Sequence, residues 1–109
     1  MKVNFNKVLK DYKGDEVYKN VEVIKDGKKE VEKQPQLIKD FVCQSLYTCG
    51  EGLTQEEKYL SYTLTLRIIP SVEDIEISSE EGTLIKKVCD KYLTAGAYGQ
   101  VVELIEGGK

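Results

Sequence analysis

The sequence has 109 residues, of which 40% are hydrophobic and 32% charged, with a formal net charge of −3 and no histidine. This length fits one domain, spanning residues 1–109, and the apolar content is too high for a disordered chain. Without histidine the chain cannot form a Ser-His-Asp or Cys-His nucleophile, while net acidity and a single arginine argue against a sequence-reading nucleic-acid binder. No apolar run is long enough for a membrane helix or a secretory signal, so we expect a cytoplasmic protein.

Residues 1–33 are predicted to be rich in β structure. Asp26-Gly27 is a strong hairpin signal, because a type I′ turn needs positive φ at both of its central residues. The residues on either side, 21–25 and 28–32, are therefore expected to pair as antiparallel strands. The second strand has few apolar residues, so it should form an exposed edge whose lysines discourage further pairing.

Residues 35–106 are predicted to be mainly helical. Apolar side chains recur at three- and four-residue spacing over residues 35–49, which is typical of an amphipathic helix. Pro35 suits the first turn of this helix, and Gly50 suits a left-handed cap at its end.

Residues 54–69 support two conflicting predictions. Thr54 and Glu57 match a capping box, in which each side chain bonds to the backbone amide of the other residue and a helix begins. Residues 60–68, however, alternate between apolar and polar side chains, which is the pattern of a strand. Local reasoning supports helix and strand about equally, and Pro70 ends the element in either case.

The C-terminal third of the chain repeats the helical pattern. Ser78 and Glu81 form a second capping box, and an amphipathic stripe predicts a helix over about residues 79–92. Residues 94–97 are expected to end this helix, with residues 96–99 forming a helix–helix corner. A last helix is predicted from Tyr98 to Ile105, and Gly107-Gly108 would stop it. The predicted fold class is α+β, with an N-terminal β-hairpin or meander packed on a bundle of three to four helices.

The three cysteines, Cys43, Cys49 and Cys89, cannot all pair within one chain, and an odd count fits a reducing compartment. The six-residue separation of the first two is not the spacing of a zinc knuckle or of a thioredoxin-like motif. We therefore expect buried thiols that act as small apolar residues, with a redox or metal role as the alternative. No catalytic, cofactor-binding or metal-binding residue is predicted.

The candidate protein-interaction surface consists of tyrosines and glutamates. Tyrosine suits surfaces that are apolar yet wet, and Tyr59 and Tyr62 would share one face of a helix. Residues 51–81 hold eight acidic residues against Lys58 and Arg67, a balance of −6, and could face a basic partner. The alternatives are core-edge packing for the tyrosines and capping or dipole roles for the acids. The candidate residues are Glu56, Glu57, Tyr59, Tyr62 and Tyr98.

Several short motifs resemble those of a family of small proteins encoded by phages and prophages, mostly of Gram-positive-type hosts. They follow an N-terminal β segment and a helix, and the resemblance covers most of residues 1–106. It implies a phage origin and a bacterial host cell, but no activity. Residues 61–65 depart from the more helical pattern of the family. The motifs are residues 53–58 (LTQEEK), 66–68 (LRI), 75–81 (IEISSEE), 84–87 (LIKK) and 99–104 (GQVVEL).

Two function hypotheses from different classes follow. The first is a non-enzymatic phage or prophage protein, of accessory or virion-assembly type, that acts through contacts with a phage protein, a host protein or itself. The alternative is an acidic host-takeover inhibitor that mimics nucleic acid and blocks a basic groove of a host protein, which needs the acids of residues 51–81 on one continuous face. An enzyme acting through Cys43 or Cys89 is the weakest hypothesis. We expect no nucleic-acid or membrane partner, and a location in the bacterial cytoplasm or on the virion.

Overall fold

The computed structural model describes residues 1–107, and in them four helices and two small antiparallel sheets form an α+β arrangement. The predicted fold class is confirmed. No helix in this part of the chain is long and apolar enough to span a bilayer. In chain order the elements are β1 (Lys2–Val3), β2 (Tyr18–Lys25), β3 (Lys28–Pro35), α1 (Ile38–Thr48), α2 (Gln55–Ile68), β4 (Ile75–Glu76), α3 (Ser79–Tyr92) and α4 (Ala95–Ile105).

The core lies between the helices and the first residues of the chain. β1 pairs with β4, with Val3 opposite Ile75, and Phe5 follows as a fully buried side chain. Burial of each large apolar side chain contributes about 1.5–3 kcal/mol, so the N-terminal segment is an integral part of the helical body. The largest fully buried apolar side chains are Phe5, Leu46, Leu64, Ile68, Ile77, Ile85, Val42, Val88 and Val101.

The predicted hairpin is confirmed, and it is longer than expected. Asp26 and Gly27 have φ angles of 51° and 76°, as a type I′ turn requires. The ladder runs from Lys25 opposite Lys28 to Tyr18 opposite Pro35. Both strands are eight residues long, three residues longer than predicted for each strand.

The hairpin of β2 and β3 projects from the helical body as an arm. Its residues are exposed except for Val21, Val23 and Gln34, which are half-buried. It forms a sheet of two strands only, so each strand has an unpaired edge. The part of the N-terminal region that packs on the helices is therefore the segment around Val3 and Phe5, not the arm.

Two predictions about α1 are wrong. Pro35 is the last residue of β3, where an edge strand tolerates a residue without an N–H group. The chain stays extended to Leu37 because the backbone amide of Gln36 donates to Val17 O, at 2.9 Å, and so continues the β contacts. At the other end, Gly50 does not adopt the predicted left-handed backbone, because it is not among the described glycines with a positive φ.

The end of α1 shows why that cap is not needed. The C-cap residue is Cys49, which is extended, buried and bonded through its N–H to Ser45 O at 3.1 Å. The left-handed backbone occurs instead at Gly52, where φ is 77°. The chain therefore leaves the helix in a direction that buries the Cys49 side chain and turns two residues after Gly50.

Residues 55–68 form helix α2, which resolves the conflict between helix and strand. Thr54 Oγ1 accepts from the Glu57 amide at 3.1 Å, and Glu57 Oε1 accepts from the Thr54 amide at 3.0 Å, so the capping box is complete. As a helix, this segment contributes Leu64 and Ile68 to the core. The apolar–polar alternation therefore predicted the wrong element here, because tertiary packing overrides local preference.

The helix α3 confirms the prediction for residues 79–92, including the capping box of Ser78 and Glu81. The predicted break over residues 94–97 and the corner over residues 96–99 are wrong in extent, because α4 already begins at Ala95. Thr94 is its N-cap and accepts from the Ala97 amide at 3.4 Å. Gly107 follows the helix with a φ of 95°, whereas Gly108 lies outside the described residues.

Candidate protein-interaction surface

Helix α2 has apolar residues on two opposite faces. The inner face packs on the core and contains Ser61, Leu64, Thr65 and Ile68, all of them buried. Two of these four are polar, and the Ser61 hydroxyl has no hydrogen-bond partner among the described residues. The inner face of α2 is therefore less apolar than the core-facing side of a helix usually is.

The opposite face of α2 and the residue that follows it expose four large apolar side chains, Tyr59, Tyr62, Leu66 and Ile69, with 69%, 44%, 52% and 40% of their surface accessible. Their spacing of three, four and three residues is the spacing of the contact positions in a coiled coil. Side chains three and four residues apart on a helix are neighbours, so these four form one continuous stripe.

Tyr47 of α1 extends this stripe sideways. Its ring centroid lies 6.0 Å from that of Tyr62, which in turn lies 6.3 Å from that of Tyr59. Such tilted pairs at 4.5–7 Å are favourable aromatic contacts. We call Tyr47, Tyr59, Tyr62, Leu66 and Ile69 the outer surface.

The outer surface has the size of a functional patch. Taking about 200 Å² for one fully exposed large side chain, its five residues leave roughly 500 Å² of side-chain surface accessible. The largest apolar patches on monomeric proteins measure about 300–600 Å² and often serve in binding. Single exposed apolar residues need no such explanation, but here three tyrosine rings lie in contact and Leu66 and Ile69 follow at helical spacing.

Acidic side chains lie in the sequence at both ends of the outer surface. Glu51 and Glu56 are exposed near the start of α2, and Glu73 and Asp74 are exposed in the loop after it. Lys58 is exposed on the helix itself. In the segments on either side of the outer surface these four acids outnumber Lys58, and a net negative charge favours a partner that carries positive charge.

Two other acids of this region, Glu57 and Glu81, make contacts within the chain. Hydrogen bonds from the Thr54 backbone amide and from Lys87 Nζ, at 3.1 Å, lower the pKa of Glu57. Burial raises the pKa of Glu81, but the Ser78 backbone amide and Arg67 outweigh this effect and lower it overall. These two carboxylates therefore cap helices and join α2 to α3.

The structure brings some of the predicted site residues together and separates others. Tyr59 and Tyr62 are neighbours on the outer surface, and Glu56 lies beside Tyr59 on the rim of an open depression of about 470 Å³. Glu57 is half-buried and turned toward α3 through Lys87. Tyr98 lies on α4, half-buried against the core.

Sequence reasoning missed three members of the outer surface: Tyr47, Leu66 and Ile69. The three-and-four spacing of residues 59–69 was visible in the sequence, but the strand-like alternation of the same residues obscured it. Tyr47 gave no local signal, because it joins the surface only through the packing of α1 against α2.

The prediction of buried thiols is confirmed for Cys43, Cys49 and Cys89. Burial raises the pKa of Cys43 and of Cys89 to about 12, so both stay protonated at neutral pH. A protonated, buried thiol is a poor nucleophile and a poor metal ligand. Within residues 1–107, the side chains form no group of three or more potential metal ligands.

Comparison of the chain with protein-family models, curated proteins and solved structures found no match. The functional interpretation therefore depends on the residues of this chain alone. Among them, the outer surface is an apolar feature of α2 and its surroundings that packing within the helical body does not account for.

Proposed function

We propose that this protein acts by binding another protein through its outer surface and does not catalyse a reaction. The observation that carries the proposal is the second apolar face of α2. A helix at a protein surface normally has one apolar face, directed at the core. The stripe from Tyr59 to Ile69 faces away from the core and has the spacing that would pack against another helix or strand.

The composition of the outer surface also favours a protein partner. Tyrosine is enriched at interfaces because its ring is apolar while its hydroxyl tolerates water. Three of the five residues of the outer surface are tyrosines, and they contact one another in series. A partner with apolar side chains and nearby basic groups would match both the stripe and its acidic ends.

The resemblance to small phage-encoded proteins supports a biological setting for this binding. We propose an accessory or virion-assembly role, in a bacterial host cell, with a phage or host protein as the partner. An assembly role needs specific protein contacts and no cofactor, and the buried, protonated state of Cys43 and Cys89 is in keeping with it.

Mimicry of nucleic acid receives less support. Of the eight acids in residues 51–81, three are in ion pairs within the chain: Glu57 with Lys87, Glu76 with the N-terminal ammonium group, and Glu81 with Arg67. Ion pairing leaves these three less available to a basic groove. Mimicry of nucleic acid also does not explain the apolar stripe, which is the observation that favours protein binding.

The proposal is tested by site-specific photo-crosslinking in the cells that produce the protein. A photoreactive amino acid at Tyr62 should yield a defined crosslinked protein, whereas the same group at Tyr12, which is 93% exposed and outside the outer surface, should not. Truncation of an anchor residue at an interface costs about 2 kcal/mol or more, so Leu66→Ser should reduce the adduct at Tyr62 at least about tenfold. Equal labelling at both positions would overturn the proposal.

A further inference from the structure

The arm carries a second exposed apolar surface. Ile24 and Val31 have 75% and 68% of their surface accessible. Ile24 lies opposite Lys29, and Val31 lies opposite Glu22, so both apolar side chains are on the same face of the hairpin and are diagonal neighbours. We call this the arm face; its residues are Tyr18, Asn20, Glu22, Ile24, Lys29, Val31, Lys33 and Pro35, all of them exposed.

The arm has little to stabilise it within its own chain. A two-stranded hairpin without a covering layer is at best marginally stable in water. Here eight residue pairs form a ladder, and one whole face of it packs on nothing in the described residues. A partner that covers the arm face would bury Ile24 and Val31 and so stabilise the hairpin.

The arm face and the outer surface are complementary in chemistry. The arm face combines Ile24 and Val31 with two lysines, Lys29 and Lys33, against one acid, Glu22. The outer surface combines its apolar stripe with the exposed acids near both ends of α2. Each surface therefore offers the apolar contact and the opposite charge that the other requires.

Symmetric pairing of two copies lacks this complementarity. Two outer surfaces in antiparallel contact would place Glu56 of each copy near Glu73 and Asp74 of the other, and parallel contact would set each acid beside its own equivalent. Two arm faces in contact would bring Lys29 and Lys33 toward the same lysines. The arm face also carries Glu22, and α2 carries Lys58, but like charges outnumber these opposite charges and disfavour all of these arrangements.

We infer that the arm face of one copy binds the outer surface of a second copy, so that the protein associates head to tail. The inference rests on the proposed function and names this chain as its own partner. When the arm face and the outer surface of one copy bind two different copies, one of each surface stays free at the ends, and the contact builds rings or open chains rather than closed dimers. The arm face contributes few large apolar side chains, so the contact belongs to the weak, small class of interfaces.

The test is sedimentation velocity of the full chain from about 1 μM to about 1 mM, a range that brackets weak contacts. The wild-type protein should grow beyond the dimer as its concentration rises, and salt should weaken this growth because charges contribute to the contact. Ile24→Ser/Val31→Ser removes the arm contact, and Tyr59→Ser/Leu66→Ser removes the outer-surface contact. Either double variant alone should lose association by at least about tenfold, whereas Tyr12→Ser should associate like the wild type.

Mixing the two double variants gives the decisive result. The arm of the Tyr59→Ser/Leu66→Ser variant is intact, and so is the outer surface of the Ile24→Ser/Val31→Ser variant. An equal mixture should therefore form one-to-one dimers that grow no further. Circular dichroism of each variant checks that the helices remain folded.

Three outcomes would overturn the inference. They are a wild-type protein that stays monomeric at every concentration, an arm variant that associates like the wild type, and a mixture that forms no dimer. A monomeric wild type whose Tyr62 still crosslinks to a different protein would overturn self-association and leave the proposed function standing. Failure of Tyr62 to crosslink above the Tyr12 level would overturn the proposed function itself.

Discussion

Helices α2 and α3 begin alike but differ in what their outer faces expose. Each has 14 residues and each begins with a complete capping box. In α3 the large aliphatic residues Leu84, Ile85 and Val88 are all buried, and the exposed large apolar side chain is Tyr92, the last residue of the helix. The opposite face of α3 consists mainly of exposed polar and charged residues: Glu80, Thr83, Lys87, Asp90 and Lys91.

The difference between the two helices distinguishes apolar residues that stabilise the fold from apolar residues that are free to bind a partner. Burial in the core explains every large aliphatic side chain of α3, so this helix needs no further partner. In α2 burial explains Leu64 and Ile68, but it leaves Tyr62 and Leu66 exposed. Apolar residues on an outward face contribute little to folding, and this is the reason for the proposal that they contact another surface.

The largest expected effect contrasts the two faces of α2 directly. Leu64→Ala should lower the free energy of unfolding by about 2–5 kcal/mol, because it leaves a cavity at a fully buried position. Ile85→Ala in α3 should cost a similar amount. Leu66→Ala should change stability by only about 0.5 kcal/mol, since its side chain is half exposed and lies on the outer face.

Urea unfolding followed by circular dichroism measures these differences. An equal cost for Leu64→Ala and Leu66→Ala would contradict the assignment of inner and outer faces. It would show that the outer surface stabilises the fold of the single chain.

A smaller effect tests what the two helices share. Thr54→Ala and Ser78→Ala each remove the side-chain acceptor of a capping box and should cost about 1 kcal/mol. Thr83→Ala is the matched control, because its hydroxyl bonds only to Ser79 O within an exposed turn, and it should stay within about 0.5 kcal/mol. The midpoint of thermal unfolding is measured for each variant. A clear difference between Thr54→Ala and Ser78→Ala would show that the two capping boxes do not stabilise their helices equally.

The smallest expected effect is a dependence of stability on pH. The folded state lowers the pKa of Glu57 and of Glu81 from 4.5, so the stabilisation from these carboxylates is present above pH 4.5. It is lost as the pH falls below 4.5 and through their folded pKa values, because the unfolded chain then binds more protons than the folded one.

Unfolding in urea at a series of pH values from about 6 to about 3 follows this loss. The double variant Glu57→Gln/Glu81→Gln should show a flatter dependence than the wild type, since neither side chain can titrate. The same slope in both proteins would mean that other acids carry the effect.

Features of the fold that depend on neighbouring residues could be predicted from the sequence. The positive φ angles at Asp26-Gly27 follow from turn geometry over two residues, and each capping box spans four. The apolar stripe of α3 could also be predicted, because its aliphatic residues all lie on one face of the helix. Of the site, Tyr59 and Tyr62 were predicted, since both lie on the same helix.

Features that depend on distant residues could not be predicted in this way. The chain is extended at Pro35 because hydrogen bonds to Val17 and Lys7 hold the residues that follow it in β contacts. Tyr47 belongs to the outer surface only because α1 packs against α2.

By itself, then, the sequence determined the turn and the single-faced helix α3 with its capped start, because short-range hydrogen bonds and a period of 3.6 residues encode them. Only the tertiary structure decided that residues 55–68 are helical. Their side chains satisfy the helical and the alternating pattern alike, and burial of Leu64 and Ile68 selects the helix. In a helix, Tyr59, Tyr62 and Leu66 lie on one side and form part of the outer surface. The sequence alone did not determine this surface, because it did not decide between helix and strand.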